Sequence, residues 1–206
     1  LEGLYSLRIS SIEESEIDEK LINLVKTRKN IAKHLHIPLQ SGSESVLARM
    51  NRKYNKEQFI HTLKRFREEI PDIALTTDVI VGFPGETEEE FKETYNFIKE
   101  CEFNMLHVFP FSAREKTKAY KMPNQISPEV KKKRVKILLD LSNALWDEYT
   151  HRFIDKEVDV LVEEYDELTH INRGHTSNYL DVSFENKDNL VGKVVKIKYK
   201  NTDTIK

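Results

Sequence analysis

Apolar and polar positions alternate in the manner of strands over residues 4–11, 32–39 and 74–81, and again in the run MLHVFPF at 105–111. Between these runs the spacing lengthens to that of helices, over residues 18–28, 56–69 and 87–100. In the last of these Phe91, Tyr95, Phe97 and Ile98 share one face, and Thr87 is placed to cap it ahead of acidic residues in the first turn. Strands alternating with helices of this length predict βαβ units with right-handed crossovers and a parallel sheet. The pattern then changes. Residues 128–152 predict one long amphipathic helix with Val135, Leu138, Leu139, Leu141, Leu145 and Trp146 as its apolar stripe. Beyond it lie short alternating runs, VDVLVEEY, NYLDVSF and VGKVVKIKY, separated by turn residues, which suit a small antiparallel β-barrel or a curled sheet. The expected organisation is therefore an α/β domain over 1–152 and a β-domain over 153–206.

A parallel strand covered on both faces is ordinarily apolar on both. Here one face of each strand is polar: Arg8 with Ser10; His34 and His36 with Gln40; Thr76 with Asp78 and Gly82; His107 with Phe109. The opposite faces carry Leu35, Ile37 and Leu39, then Val79, Val81 and Phe83, then Leu106 and Val108. If the apolar faces meet the helices, the polar ones line an interior that holds a ligand, the arrangement of a part-barrel; the alternative for any one side chain is a hydrogen-bonded core polar. Two turns leave the C-terminal ends of these strands, where ligands of parallel α/β folds gather. In LQSGSESVL, Gln40, Ser41 and Gly42 lead into a short helix that Ser43 can cap, and in VGFPGETEEEF, Gly82, Pro84 and Gly85 do the same. Neither turn has the lysine of a phosphate-binding loop. Their glycines allow close approach of a ligand, or simply the geometry of a strand-to-helix turn.

Composition narrows the class. With 206 residues, 38% of them hydrophobic, a net charge of -2 and a pI near 6.4, the chain reads as globular, and any nucleic-acid contact must be local. No stretch approaches the ~18 apolar residues of a membrane span, so a cytoplasmic protein is expected. The absence of an initiator methionine and a start within a strand-like run suggest a fragment, and nothing speaks to oligomeric state. A single cysteine, Cys101, excludes an internal disulfide or a thiolate-held cluster within this chain, and it reads as an incidental core or surface residue. His34 and His36 are either metal ligands or hydrogen-bonding wall residues. Residues 112–152 hold ten Lys or Arg against five acids, whereas 153–206 hold eight against eleven. The run Lys131, Lys132, Lys133, Arg134 is thus either a solvated helix face or a grip on phosphates.

The runs HLHIPLQSGSESVLARMNRKYNKEQF, TTDVIVGFPGETEEEF and LHVFPFSAREKTKAYKMPNQ resemble the second half of the radical S-adenosylmethionine (SAM) barrel of the tRNA methylthiotransferases. GHTSNYLDVSF and GKVVKIKY are similar to the small RNA-binding β-barrel, the TRAM domain, that ends those enzymes. MNRKY and GHTSNY most resemble the branch that methylthiolates N6-threonylcarbamoyladenosine at position 37 of tRNA; relatives act on isopentenyladenosine in tRNA or on a ribosomal-protein aspartate. The resemblance implies that S-adenosylmethionine binds Gln40 and Ser41 through its ribose and methionyl parts, with Ile80, Gly82 and Pro84 against adenine, Asp78 toward the ribose and the backbone at Phe109 on the adenine edge. Arg8 and Ser10 would face the cofactor carboxylate or the substrate base. It implies tRNA, through its anticodon stem-loop, as the partner, with His175, Asn178 and Tyr179 joining the lysine run in RNA contact; Tyr179 would stack on a base or pack in the small barrel.

Such enzymes hold two 4Fe–4S clusters on cysteines that this chain lacks. By resemblance, one cluster cleaves S-adenosylmethionine to a radical that takes hydrogen from C2 of the adenine ring, and methylated sulfur from the other replaces it. The fragment alone is therefore expected to be inactive, and no catalytic residue is assigned. The competing classes are an RNA-binding module on a non-catalytic barrel and an unrelated α/β enzyme with a phosphorylated ligand.

Overall fold

A computed structural model describes residues 6–52 and 55–200. Leu4 and Tyr5 of the first expected strand, and the Lys53–Tyr54 end of MNRKY, lie outside the described residues. Four parallel strands, β1 (Leu7–Ile9), β2 (Ile31–His36), β3 (Ala74–Val81) and β4 (Met105–Pro110), form one sheet in sequence order. The helices α1 (Glu19–Thr27), α2 (Glu44–Arg49), α3 (Lys56–Glu69) and α4 (Glu88–Cys101) connect them. Local chemistry sets the helix starts: Asp18 and Asn55 accept backbone N–H bonds at the heads of α1 and α3, and Thr87 and Glu90 form a reciprocal capping box on α4. Ser43 precedes α2 as expected, but its hydroxyl bonds that of Ser45 instead of capping the helix.

The apolar strand face packs on the helices. Leu35, Ile37, Leu39, Leu75, Val79, Val81 and Leu106 join Phe59, Leu63, Phe66 and Phe97 in one buried core. The other face carries His34, His36, Thr76, Asp78, Ile80, His107 and Phe109, cross-strand neighbours being His36 with Thr76, Asp78 with His107 and Ile80 with Phe109. β2 ends early because Pro38 has no N–H to continue the ladder. Thr77 splints the gap, its hydroxyl donating to Ile37 O and accepting from Leu39 N–H.

Helix α5 (Pro128–His151) lies along β4, and Ser142 Oγ accepts the outward Leu106 N–H at 2.9 Å, which covers an otherwise unpaired strand edge. Leu138 and Leu141 enter the main core, whereas Leu139, expected in the same stripe, is exposed. The C-terminal end of α5 belongs to a second core, in which Tyr149 and Phe153 meet Val160, Leu180, Val182 and Ala74. That core underlies an antiparallel sheet of β5 (Glu157–Asp166), β6 (Ile171–Thr176), β7 (Asp181–Glu185) and β8 (Val194–Lys198), in the order β7-β6-β5-β8. β7 and β8 are its edges among the described residues, so of the barrel and the curled sheet that were expected it is the open four-stranded sheet that forms. β6 was not anticipated. Its central Gly174 sits so close to a bulged β5 that a Cβ would fall 2.0 Å from Leu161 O, and its buried Asn172 holds the 186–190 loop through Asp188 O and Leu190 N–H.

Candidate functional site

The polar face is one connected network. Thr76 Oγ1 lies 3.0 Å from His34 Nε2 and 3.1 Å from His36 Nδ1, so its single hydroxyl proton serves one ring while its lone pairs accept from the other. His36 Nε2 is 3.3 Å from Asp78 Oδ1, and the rings of His36 and His107 lie 5.5 Å apart. Burial, followed by the charges of Arg8, His36, His107 and His175, pushes His34 down to about 3, so the ring is neutral. Both candidate metal-ligating histidines are thus engaged by the same threonine.

At the N-terminal end of the strands the second domain forms a floor. The hairpin joining β6 to β7 presents Tyr179, at φ +70°, between the rings of His34 (4.4 Å) and His175 (5.0 Å), with the Arg8 guanidinium 4.8 Å from its centroid. Ser177 Oγ accepts Lys33 N–H, and Asn178 Nδ2 donates to Tyr149 OH, which donates to Asp72 O just before β3. His175 Nδ1 is 2.6 Å from Glu163 Oε2. Of the three residues expected to touch RNA, Asn178 and Tyr179 therefore join the domains, His175 packs against Tyr179 from within the second one, and the half-buried Tyr179 ring is already occupied by His34, His175 and Arg8. Arg8, expected at the ligand edge, also belongs to the floor: it donates to Thr176 O, and burial lowers its pKa. Ser10 is exposed beyond β1.

The opposite, C-terminal edge holds most of the other sequence-derived candidates. Gln40 adopts φ +66° and is clamped by two backbone bonds, its N–H to Asp78 O and its C=O from Ile80 N–H, each 2.8 Å. Its side-chain amide makes no hydrogen bond within the described residues. Ser41 turns the other way: its fully buried hydroxyl bonds Thr94 of α4 and accepts Ser43 N–H, so it builds the turn from behind and does not face a ligand. Gly42 is needed for the same packing, since a Cβ there would meet Thr94 Cα and Phe97 Cβ at 2.8 Å. Asp78 and Ile80 are half-buried on the inner face, Phe109 is exposed, and Pro84 is buried in the turn. Gly82, at φ +75°, leaves room for Lys131, whose Cγ would lie 2.5 Å from an added Cβ. Its N–H donates to Glu86 Oε2 at 2.6 Å.

Glu86, which sequence reasoning passed over, is buried with Arg134 in an ion pair whose guanidinium also donates to Glu86 O. Burial pushes the Glu86 carboxyl up, against the lowering effect of the Gly82 N–H and of Arg134. The run at 131–134 is thus no single surface. Lys131 and Arg134, three apart, share the helix face that meets the sheet, where Arg134 is inaccessible to phosphate; Lys132 and Lys133 are exposed. Lys131 Nζ donates to Phe111 O at 2.9 Å. On β8, Lys196 and Lys198 face Asp159 and Asp155 at 3.8 and 2.9 Å. Cys101 is buried, and burial first, then Glu100, outweigh Arg67 to raise its thiol to about 12. Only the FPGE sequence itself hinted at Glu86, and no periodicity distinguishes an acid that supports a turn from one that faces water.

Residues 5–98 match the Radical SAM superfamily. Over 201 residues the chain is 46% identical to threonylcarbamoyladenosine tRNA methylthiotransferase MtaB of Bacillus subtilis (strain 168), covering 96% of this chain and 45% of that protein. It is 38% identical over 200 residues to the tRNA-2-methylthio-N(6)-dimethylallyladenosine synthase of Alkaliphilus oremlandii (strain OhILAs), covering 96% and 42%. The chain thus spans less than half the length of these relatives. Among solved structures, coproporphyrinogen III oxidase (HemN) from Escherichia coli, a radical SAM enzyme, is similar with a TM-score of 0.56 at 20% identity, over 68% of this chain and 32% of that one. This last likeness concerns the fold alone.

Proposed function

We propose that the chain, whose residues 5–98 match the Radical SAM superfamily, is the cofactor- and substrate-holding portion of a tRNA methylthiotransferase acting on threonylcarbamoyladenosine. The observation that carries this reading is the open C-terminal edge, where the unpartnered amide of Gln40 and the carboxylate of Asp78 stand beside Ile80 and Phe109, joined to the 46% identity with a protein named for that substrate. This donor set suits a nucleoside: Gln40 and Asp78 for ribose hydroxyls, Ile80 and Phe109 for the faces and edge of a base. None of these four side chains is a cation, so the set favours a nucleoside over a phosphate chain. When bound, S-adenosylmethionine supplies the radical chemistry.

The chain's own residues bind and orient. The clamp on Gln40 fixes the ribose end, Glu86 holds the Gly82 turn through its N–H, and Thr76 fixes both the neutral His34 and the His36 ring on the inner face beneath the reacting atoms. The floor around Tyr179 closes that face to water from below. The iron–sulfur clusters do not fit this chain, whose one cysteine is buried in α4 as a neutral thiol, and no step is assigned to them here.

The test is nucleoside analysis of tRNA from cells lacking the complete gene and complemented with the parent or with Gln40→Ala and Asp78→Ala forms. Loss of the 2-methylthio derivative of threonylcarbamoyladenosine in the deletion, restored by the parent and reduced in both variants, is expected. Loss of the dimethylallyladenosine derivative instead would move the protein to that branch, and unchanged tRNA would overturn the reading.

A further inference from the structure

Beside the Gly82 turn, the end of β4 and the first turns of α5 form an open cavity of about 540 Å³. Its walls include Pro110, Phe111, Pro128 and Val135, and its rim carries Lys131 and Lys132. The walls are apolar and partly aromatic, with the Phe111 ring set edge-on to Phe83 at 5.0 Å. Lys131 Nζ spends one N–H on Phe111 O and stands 5.4 Å from the Phe111 ring, which leaves donors directed to the rim. A volume of this size accepts a planar base.

The segment that joins β4 to α5 borders this cavity at both its ends, through Ser112 and Ala113 and through Pro128, and it is basic. Residues 112–128 contain Arg114, Lys116, Lys118 and Lys121 against one acid, Glu115. Among the described residues, neither these cations nor Lys131, Lys132 and Lys133 form an ion pair, whereas Lys196 and Lys198 of the second domain do. The segment is ordered by its own bonds: Gln125 Nε2 donates to Ala119 O and Met122 O, and Asn124 O accepts Gly85 N–H at 2.9 Å, which ties it to the cofactor turn. Tyr120, 48% exposed, interrupts the cations with an aromatic surface. Free cations interleaved with exposed aromatics around an apolar slot are what a flexible single strand binds, through phosphates and stacked bases.

We propose that the cavity and this segment form a subsite for one nucleotide of a single-stranded RNA loop, the base lying against Phe111 and Val135 and the flanking phosphates on Lys132, Lys118 and Lys121. The proposal rests on the functional reading above and gives its RNA a place on the barrel mouth instead of on the acidic second domain. The shared chemistry, a base with a phosphate, also describes a free mononucleotide, so the experiment separates the two.

The test is fluorescence anisotropy of the 206-residue chain with a labelled anticodon stem-loop RNA across a salt series, with adenosine monophosphate as competitor. The Lys118→Glu, Lys121→Glu double variant is expected to weaken binding on the order of tenfold and to lower the salt slope by roughly 1.4, since each of the two lost phosphate contacts in a single strand removes ~0.7. Val135→Trp, which fills the cavity, is expected to weaken binding about threefold or more at unchanged slope. If circular dichroism shows that Val135→Trp does not fold, Ala113→Leu at the rim replaces it. Lys196→Glu with Lys198→Glu is expected to change affinity less than twofold. The proposal is overturned by an unchanged slope in the Lys118, Lys121 variant, by absence of binding at low salt, or by displacement at equal concentrations of mononucleotide. Any of these leaves the methylthiotransferase reading standing, because that reading is decided by the nucleosides of cellular tRNA.

Discussion

Gln40 holds a left-handed backbone that costs a non-glycine residue about 1–2 kcal/mol, at the point where the sheet ends and the ligand edge begins. A strained residue whose side chain bonds to nothing among the described residues is kept for what it presents. Gln40→Gly is therefore expected to match or exceed the parent in stability by up to about 1 kcal/mol, and Gln40→Ala to fall about 1 kcal/mol below the glycine form. Both should weaken S-adenosylmethionine binding by the complete enzyme on the order of 1 kcal/mol. Urea unfolding and calorimetry measure the two halves, and a glycine form that is less stable than the alanine form refutes the strain argument. His34 gives a second test. Its ordinary value of 6.5 applies to the unfolded chain and about 3 to the folded one, so between these the unfolded state binds the extra proton. Stability from the neutral buried ring is complete above about pH 6.5 and is lost as pH falls toward 3. His34→Gln should be less stable at pH 7 yet decline less steeply over that window; parallel declines would count against the assignment. At this scale alternation revealed which face was polar, because side chains on a strand point to opposite sides. It could not reveal that Ser41 bonds Thr94 or that Arg8 lies on the floor, since those partners are distant in sequence.

Helix α5 shows what a pattern of elements reveals and what it conceals. Its existence, its start at Pro128 and its apolar stripe except for Leu139 were legible from periodicity, as were the strands β2, β3 and β4. The run at 131–134 reads as one basic patch only until helical geometry divides it, two residues inward and two outward. The inward Arg134 joins α5 to the cofactor turn, since Glu86 bonds both the guanidinium and the Gly82 N–H. Arg134→Met leaves the buried carboxylate without its cation and is expected to cost about 3–5 kcal/mol. Adding Glu86→Gln should recover part of that loss, because the neutral amide oxygen still accepts from Gly82. Thermal and urea unfolding of the two single variants and the double one measure this coupling, and additive losses would show that the pair acts independently. β6 was illegible for a related reason: Asn172 and Gly174 occupy buried positions for their fit to neighbours, so the strand carries a turn-like sequence.

Taken whole, the molecule has two ends with different duties. The C-terminal edge of the parallel strands is open and carries Gln40, Asp78, Ile80, Gly82 and Phe109, while the N-terminal end is closed by the second sheet. That division was half legible: two folding units and a helix between them follow from pattern, but the way they dock depends on Tyr179, whose sequence surroundings suited RNA equally well. Sequence shows an aromatic at a hairpin tip; only the fold supplies His34 and His175 as its neighbours. The stacked rings together with Arg8, Ser177 and Asn178 make Tyr179 the centre of the contact, so Tyr179→Ala is expected to destabilise the protein by roughly 2–3 kcal/mol through lost burial and stacking. Removing the ring also opens His34 to water, which should raise its pKa toward 6.5 and bring its ring signals into the neutral range of an NMR titration. Because the RNA subsite lies at the other end, the affinity and salt slope for an anticodon stem-loop should be retained at temperatures where the variant is folded. A tenfold loss of RNA affinity with unaltered stability and an unmoved His34 titration would return Tyr179 to the role of a base-stacking residue and require the two domains to separate when RNA binds.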